Sequence, residues 1–190
     1  MCSKCCKKVE LLSPKILEYI DSVPVYSAMV YEKEIQKMIR GIKYHNQSEL
    51  AVFQAQLMFD YWKKLSVSEQ NFVLVPVPLY KKREKKRKYN QMMLVAQEFS
   101  KLSGYEINSQ ILKRVKDTKP QYKLSKKERL ENLHGAFEYN DGHYNGEKLL
   151  LLDDILTTGS TMSEMIKTLK NAGVQDLTVF VTSCTKYNLG

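Results

Sequence analysis

Residues 149–165 read LLLLDDILTTGSTMSEM. The four consecutive leucines, Leu149 to Leu152, suit a strand buried on both faces. Two carboxylates, Asp153 and Asp154, stand at its open end, and a Thr-Thr-Gly-Ser-Thr turn follows. A helix is expected over Thr161–Ala172, with Met162, Met165, Ile166 and Leu169 on its inner face and Gly173 at its C-terminal cap. The turn can aim several backbone N–H groups at one point, where the helix dipole is also positive. Gly159 permits a close approach or a positive φ. The hydroxyls of Thr157, Thr158, Ser160 and Thr161 add neutral donors, which together make a cradle for a phosphate dianion. Adjacent carboxylates suit vicinal hydroxyls, which donate hydrogen bonds that carboxylates accept well. A ligand with a phosphate at one end and a diol in the middle is a ribose 5-phosphate. A lone acidic pair or a lone Thr-Thr-Gly would be only a helix cap or a polar turn; the full order of strand, acids, turn and amphipathic helix is far more specific.

Strands and helices alternate outward from this stretch. Strands are expected at Val25–Tyr31, Phe72–Val77, Glu147–Leu152 and Asp176–Ser183, with a short one at Ile107–Leu112. Helices are expected at Ile35–Tyr44, Glu49–Lys64 and Asn90–Leu102, the second of these burying Leu50, Phe53, Leu57 and Tyr61. Lys81–Lys88, KKREKKRK, reads as a very basic loop, and Lys113–Asn140 as a polar, mobile stretch. The alternation predicts an α/β domain with a mainly parallel central sheet flanked by helices, whose ligands bind beyond the carboxyl ends of the strands. Residues 1–24, ending near Pro24, read as a small N-terminal appendage to a domain over residues 25–190.

A chain of 190 residues fits one domain, and 43% hydrophobic residues are enough for a real core. No apolar run is long enough to enter a bilayer and no signal-peptide pattern opens the chain, so a cytoplasmic protein without membrane insertion is expected. Thirty basic against 21 acidic residues, net +9, favour anionic partners. Cys2, Cys5 and Cys6 crowd the start and Cys184 stands alone, which is not a secreted disulfide layout. Neither a G-x-x-x-x-G-K-[ST] nor a G-x-G-x-x-G occurs, which removes the P-loop and dinucleotide fingerprints.

Leu149 to Thr161 resembles the motif for 5-phosphoribosyl-1-pyrophosphate (PRPP) in type I phosphoribosyltransferases. Three other stretches narrow the resemblance to the ComF family of late competence proteins, the GntX-like branch. Val75–Leu79, VPVPL, followed by basic residues and Tyr89-Asn90-Gln91, is similar to that family's VPVPL…R…RGFNQ block. Arg114, Thr118, Gln121, Leu124, Arg129, Asn132, Gly135 and Phe137 resemble its R…T..Q..L….R..N..G.F block, and Lys43-Tyr44 matches its KY pair. Two departures stand out. Lys88 precedes Tyr89 where relatives have glycine. Cys2-x-x-Cys5, with Cys6 beside it, is one pair where many members begin with two zinc-binding pairs. Cys2 and Cys5 are thus the candidate zinc ligands, but the count falls short of an intact four-ligand site and exposed thiols are preferred. Residues 1–24 would be a degenerate zinc finger or the hood that reads an acceptor.

The resemblance implies a type I phosphoribosyltransferase fold in which Asp153 and Asp154 hold the ribose hydroxyls and Thr157, Thr158, Gly159, Ser160 and Thr161 hold the 5-phosphate. Leu79, Tyr80 and Lys81 would occupy the pyrophosphate position, with Arg114 and Arg129 as further cations, and residues 113–135 would be a flexible loop closing over the ligand. Mg²⁺ would accompany PRPP, bridging pyrophosphate and ribose. The family also implies DNA uptake and natural transformation, with single-stranded DNA and a helicase-like competence protein as partners. Lys85, Lys86 and Arg87, near Tyr80 and Tyr89, suit a phosphate backbone with base stacking; pyrophosphate binding or a plain charged loop fits them equally. Two readings follow: a phosphoribosyltransferase acting on PRPP, or a non-catalytic module that senses PRPP or handles single-stranded DNA.

Overall fold

The computed structural model describes residues 9–118 and 125–189. Cys2, Cys5, Cys6, Gln121 and Leu124 lie outside them. Six strands form one sheet in the order β1-β2-β8-β7-β3-β4, where β1 is Glu18–Ile20, β2 Val23–Val30, β3 Val73–Pro76, β4 Glu106–Ile107, β7 Leu149–Leu156 and β8 Leu177–Cys184. All neighbours are parallel except β1, which pairs antiparallel with β2. A two-stranded ribbon, β5 (Leu112–Arg114) with β6 (Phe137–Tyr139), stands apart. The helices are α1 Lys33–Tyr44, α2 Leu50–Trp62, α3 Lys81–Arg87, α4 Gln91–Ser103, α5 Lys126–Leu133 and α6 Ser160–Asn171.

Strand β7 lies at the middle of this sheet because Leu149, Leu150, Leu151 and Leu152 have no exposed surface at all. Alternate leucines point to opposite faces, so both faces must be covered. The crossover β3-α4-β4 and the crossover β7-α6-β8 move in opposite directions from the β3/β7 pair. Right-handed crossovers then place α4 and α6 on opposite faces. On the α4 side, Trp62 packs 4.9 Å from Phe180, ring centre to ring centre, with Phe99 6.0 Å from the same ring.

The same topology fixes where a ligand can enter. Strand β3 pairs with β7 as far as Pro76↔Leu152, and the Val77 N–H gives one more bond to the Leu152 carbonyl, at 2.9 Å. Beyond it β3 turns away, while β7 keeps pairing with β8 through Asp153↔Val181 and Leu156↔Cys184. A crevice therefore opens at the β3/β7 switch point, beside the carboxylates.

Several expected elements differ in detail. The acidic pair does not follow the strand but lies inside it, because β8 continues the ladder for four residues past Leu152. KKREKKRK is not a loop: residues 81–87 form α3, since Lys, Arg and Glu are good helix formers, and Lys88 ends it with φ +71°. The buried face of α2 is Ala51, Gln54, Ala55, Met58, Tyr61 and Trp62, whereas Leu50, Phe53 and Leu57 are only half-buried. The two alanines admit α4 closely, and Gln54 is held inside by donating to the Thr182 hydroxyl at 2.6 Å. Residues 113–135, expected to be a flexible loop, begin in β5 and contain α5. A boundary at residues 24/25 falls within β2, whose hairpin with β1 turns through Asp21 and Ser22, both at positive φ as a two-residue type I′ turn requires.

Lys88 holds a left-handed conformation that costs a side-chain-bearing residue about 1–2 kcal/mol, partly offset by glycine's entropy. Lys88→Gly is expected to raise unfolding stability by about 0.5–1 kcal/mol in urea titrations.

Candidate functional site

A cleft of about 660 Å³ occupies the crevice. Its floor is the end of β7, and its walls come from α1, α3, the start of α6 and the loop after β3. Asp153, Asp154, Thr157, Gly159, Ser160 and Thr161 all line it, as do Leu79, Arg87, Arg114 and Arg129. Thr158, Tyr80, Lys81, Lys85 and Lys86 do not.

Gly159, at φ +71°, is the residue before α6 and has no side chain with which to cap it. The N–H groups of the first helical turn are thus left without intrahelical acceptors, facing the cleft. The Thr158 and Ser160 hydroxyls lie 2.7 Å apart, which makes Thr158 an internal brace of the turn. Arg129 brings a guanidinium to the turn by donating to the Thr157 hydroxyl at 3.0 Å. Ile20, at the end of β1, backs Gly159 so closely that a Cβ there would lie 2.9 Å from its terminal methyl. The hairpin is fastened to α6 by Ser163 donating to Asp21 at 3.0 Å and by Lys170 donating to the Asp21 carbonyl at 2.5 Å.

The two carboxylates are not equivalent. Asp154 is buried, and its Oδ2 receives the Lys43 ammonium at 2.6 Å and the Gln91 amide at 3.2 Å. Burial opposes the Lys43 charge, but Asp154 outweighs it, so the lysine pKa is raised. Asp153 accepts the Asp154 backbone N–H at 2.8 Å and keeps an edge open to the cleft. Burial, then the neighbouring Asp154 charge, raise its pKa well above the ordinary carboxylate range.

Six cations, Arg40, Lys43, Arg83, Arg87, Arg114 and Arg129, line the cleft against these two acids. On α3, Arg83 and Arg87 lie four residues apart and turn inward, while Lys81, Lys82, Lys85 and Lys86 are exposed outside. Arg83 donates to the Thr118 carbonyl and lies 3.6 Å from Asp117. Arg114 donates to the Thr118 hydroxyl at 2.6 Å and lies 5.4 Å over the Phe137 ring. Its buried Nε has no partner among the described residues. Burial, then Arg83, pull the Arg114 pKa down to about 10. Arg87 bonds Gln91 and sits 5.7 Å over the Tyr44 ring.

Of the other cleft residues, Lys43 and Gln91 stand in family blocks and Arg83 within the basic run at 81–88, while Arg40 was not named from the sequence. The helical spacing of Arg40, Lys43 and Tyr44 was the available signal, but only the fold carries α1 to the end of β7. The described residues contain no group of three or more His, Cys, Asp or Glu side chains able to hold a metal ion. No helix among them is long and apolar enough to cross a membrane.

A mainly parallel sheet with an acid-bearing central strand, an uncapped Thr/Ser/Gly turn at its switch point and a cationic cleft defines the class of phosphoribosyltransferase-like domains. Residues 92–187 match the phosphoribosyl transferase domain family, and the chain belongs to it. It is 29% identical over 188 residues to Competence protein F of Haemophilus influenzae, a comparison covering 94% of this chain and 82% of that one. It is 28% identical over 156 residues to the DNA utilization protein YhgH of Salmonella typhi, covering 79% and 67%. Competence protein ComFC of Bacillus subtilis is 27% identical over 163 residues; the comparison covers 83% of this chain and 62% of ComFC.

Breaking the Lys43–Asp154 pair with Lys43→Met is expected to cost about 3 kcal/mol of unfolding stability, because a buried charge loses its partner. Lys43→Met with Asp154→Leu should return to within about 1 kcal/mol of wild type in the same denaturation experiment. Because the raised Asp153 pKa means that the folded state holds the proton more tightly than the unfolded one, this carboxyl stabilises at low pH and loses that contribution as pH rises through its folded pKa. Asp153→Asn should therefore melt higher than wild type near pH 8, with the gain vanishing toward about pH 4 in a pH series of melting curves.

Proposed function

We propose that the cleft binds PRPP or its relative ribose 5-phosphate and that the protein is a phosphoribosyltransferase. One observation carries this reading: the uncapped Thr157–Thr161 turn and the open Asp153 carboxylate line a single cleft at the sheet's switch point. The 5-phosphate would lie on the first-turn N–H groups of α6, with the Thr157, Ser160 and Thr161 hydroxyls and Arg129 around it. Asp153 would accept hydrogen bonds from the ribose diol. Asp154, engaged by Lys43 and Gln91, would orient β7's end and add its charge at longer range. Arg83 and Arg114, with the unpartnered Arg114 Nε, suit the pyrophosphate.

In the transfer, an acceptor lone pair attacks C1 of the ribose while the C1–O bond to pyrophosphate breaks. Pyrophosphate leaves with that electron pair, and the acceptor's proton passes to solvent. The chain positions the sugar, keeps Asp153's charge near the cation developing at the ring, and neutralises the leaving group. Mg²⁺ arriving with PRPP would supply further neutralisation of the leaving group beside Arg83 and Arg114. Zinc has no proposed role beyond Cys2 and Cys5, which lie outside the described residues.

A second reading is favoured by the outer face of α3. Lys81, Lys82, Lys85 and Lys86 are all exposed there, a stripe suited to a nucleic-acid backbone. The names Competence protein F and DNA utilization protein belong to the relatives. For this chain, single-stranded DNA handling in the cytoplasm beside a helicase-like competence protein is the corresponding proposal, with PRPP sensed rather than consumed. Arg87 does not belong to that stripe, since it faces the cleft.

Thermal melting with ribose 5-phosphate tests whether the cleft takes this ligand, and pyrophosphate release from PRPP separates transfer from sensing. At about a hundredfold excess over Kd, ligand should stabilise the wild type by roughly 2.7 kcal/mol. Asp153→Asn should abolish the preference for ribose 5-phosphate over 2-deoxyribose 5-phosphate while keeping affinity for inorganic phosphate. No stabilisation of wild type by ribose 5-phosphate or by PRPP with Mg²⁺ would sink it.

A further inference from the structure

A phosphosugar diphosphate leaves part of the cleft unused. The turn, Asp153, Arg83, Arg114 and Arg129 account for its groups. What remains is the wall formed by α1, α3 and the residue after β2: Tyr31, Arg40, Tyr44 and Arg87. Arg40 and Tyr44 lie four residues apart on α1, on one face. Arg87 reaches across from α3 to the Tyr44 ring. Tyr31, Arg40, Lys43, Tyr44 and Asp154 all line the same hollow. All four residues lie before residue 92, outside the stretch matched to the family.

The charges of this wall are unbalanced. Among the described residues, no carboxylate forms an ion pair with Arg40 or Arg87. Among the described residues, the only acids lining the cleft are Asp153 and Asp154, and the second is paired with Lys43. Arg87 is half-buried, and burial lowers its pKa, so the guanidinium has a standing demand for an anion. Tyr44 is 61% exposed although its ring borders the cleft, leaving an aromatic surface uncovered beside those guanidiniums. The wall's four side chains bring two guanidiniums and no carboxylate, with the tyrosine hydroxyls as their only acceptors, a balance that favours an anion over a neutral base edge.

We propose that Arg40, Arg87 and the rings of Tyr31 and Tyr44 form the acceptor subsite, and that the acceptor is a planar ring bearing its own anionic group, a carboxylate or a phosphate. The ring lies against the tyrosines and the anion on the guanidiniums. This assignment rests on the phosphoribosyl reading of the neighbouring site.

Isothermal titration of the full chain, saturated with ribose 5-phosphate, tests it. The probes are orotate against uracil, nicotinate against nicotinamide, and adenosine 3′-phosphate against adenosine. Saturation keeps the probes out of the phosphate cradle. At least one charged probe should bind about tenfold more tightly than its neutral counterpart, the worth of one charge-assisted hydrogen bond. The orotate and nicotinate arms identify a carboxylate, the adenosine 3′-phosphate arm a phosphate. Arg40→Gln and Arg87→Gln, at exposed and half-buried positions, should each remove most of that preference, and Arg87→Lys should retain part of it. Ribose 5-phosphate affinity should stay within about twofold in all three variants. Equal binding of charged and neutral rings overturns the proposal, as does loss of pyrophosphate affinity in the variants without any change in ring preference. Failure of the wild type to take up ribose 5-phosphate would instead remove the phosphoribosyl reading, and the acceptor assignment with it.

Discussion

Everything in this molecule hangs on one strand, β7, which is wholly buried along its first four residues and carries two acids at its far end. A strand between two parallel neighbours has its backbone satisfied on both edges. When β3 departs at Pro76, β7 keeps only the β8 edge, and the other becomes the floor of a cleft. The carboxylates lie where apolar packing gives way to that cleft. Burial therefore acts on them without isolating them from a ligand, and their charges cannot both stand uncompensated there.

Lys43 resolves that conflict for one of the two. An ammonium from α1 meets Asp154 at 2.6 Å, and Gln91 from α4 completes the carboxylate's bonding. The ion pair and the Gln91 hydrogen bond tie α1 and α4 to the central strand. It also divides labour between the two acids: Asp154 is committed to the protein, and Asp153 keeps an edge for a guest. The cost falls on Asp153, whose raised pKa reflects burial beside a like charge.

The cleft's remaining character is cationic. Arginines enter from α1, α3, β5 and α5, four elements that are far apart in sequence and on both sides of β7. The Thr157–Thr161 turn at the start of α6, held from behind by Ile20 and the Asp21 turn, sits among them. The β1–β2 hairpin is thus part of the cleft's support, since its tip is fastened to the same helix whose N-terminus faces the cleft.

Local chemistry made the α/β class, the buried leucine strand, the α6 inner face and the Asp153–Thr161 constellation legible from sequence, because each depends on periodicity or on residues adjacent in the chain. Length and alternation of apolar runs specify such elements before any partner is known. The extent of β7 was not legible, since a strand stops where its neighbours stop. The α2 face was misjudged because Ala51 and Ala55 carry little hydrophobicity yet permit close approach, and Gln54 is buried only because Thr182 meets it. KKREKKRK looked like a solvated loop until the αL turn at Lys88 and the contacts of Arg83 and Arg87 gave it a helix with two faces. Tertiary structure alone decided that Lys43 reaches Asp154 across 111 residues of chain, because a charge finds its counter-ion through folding and not through sequence proximity.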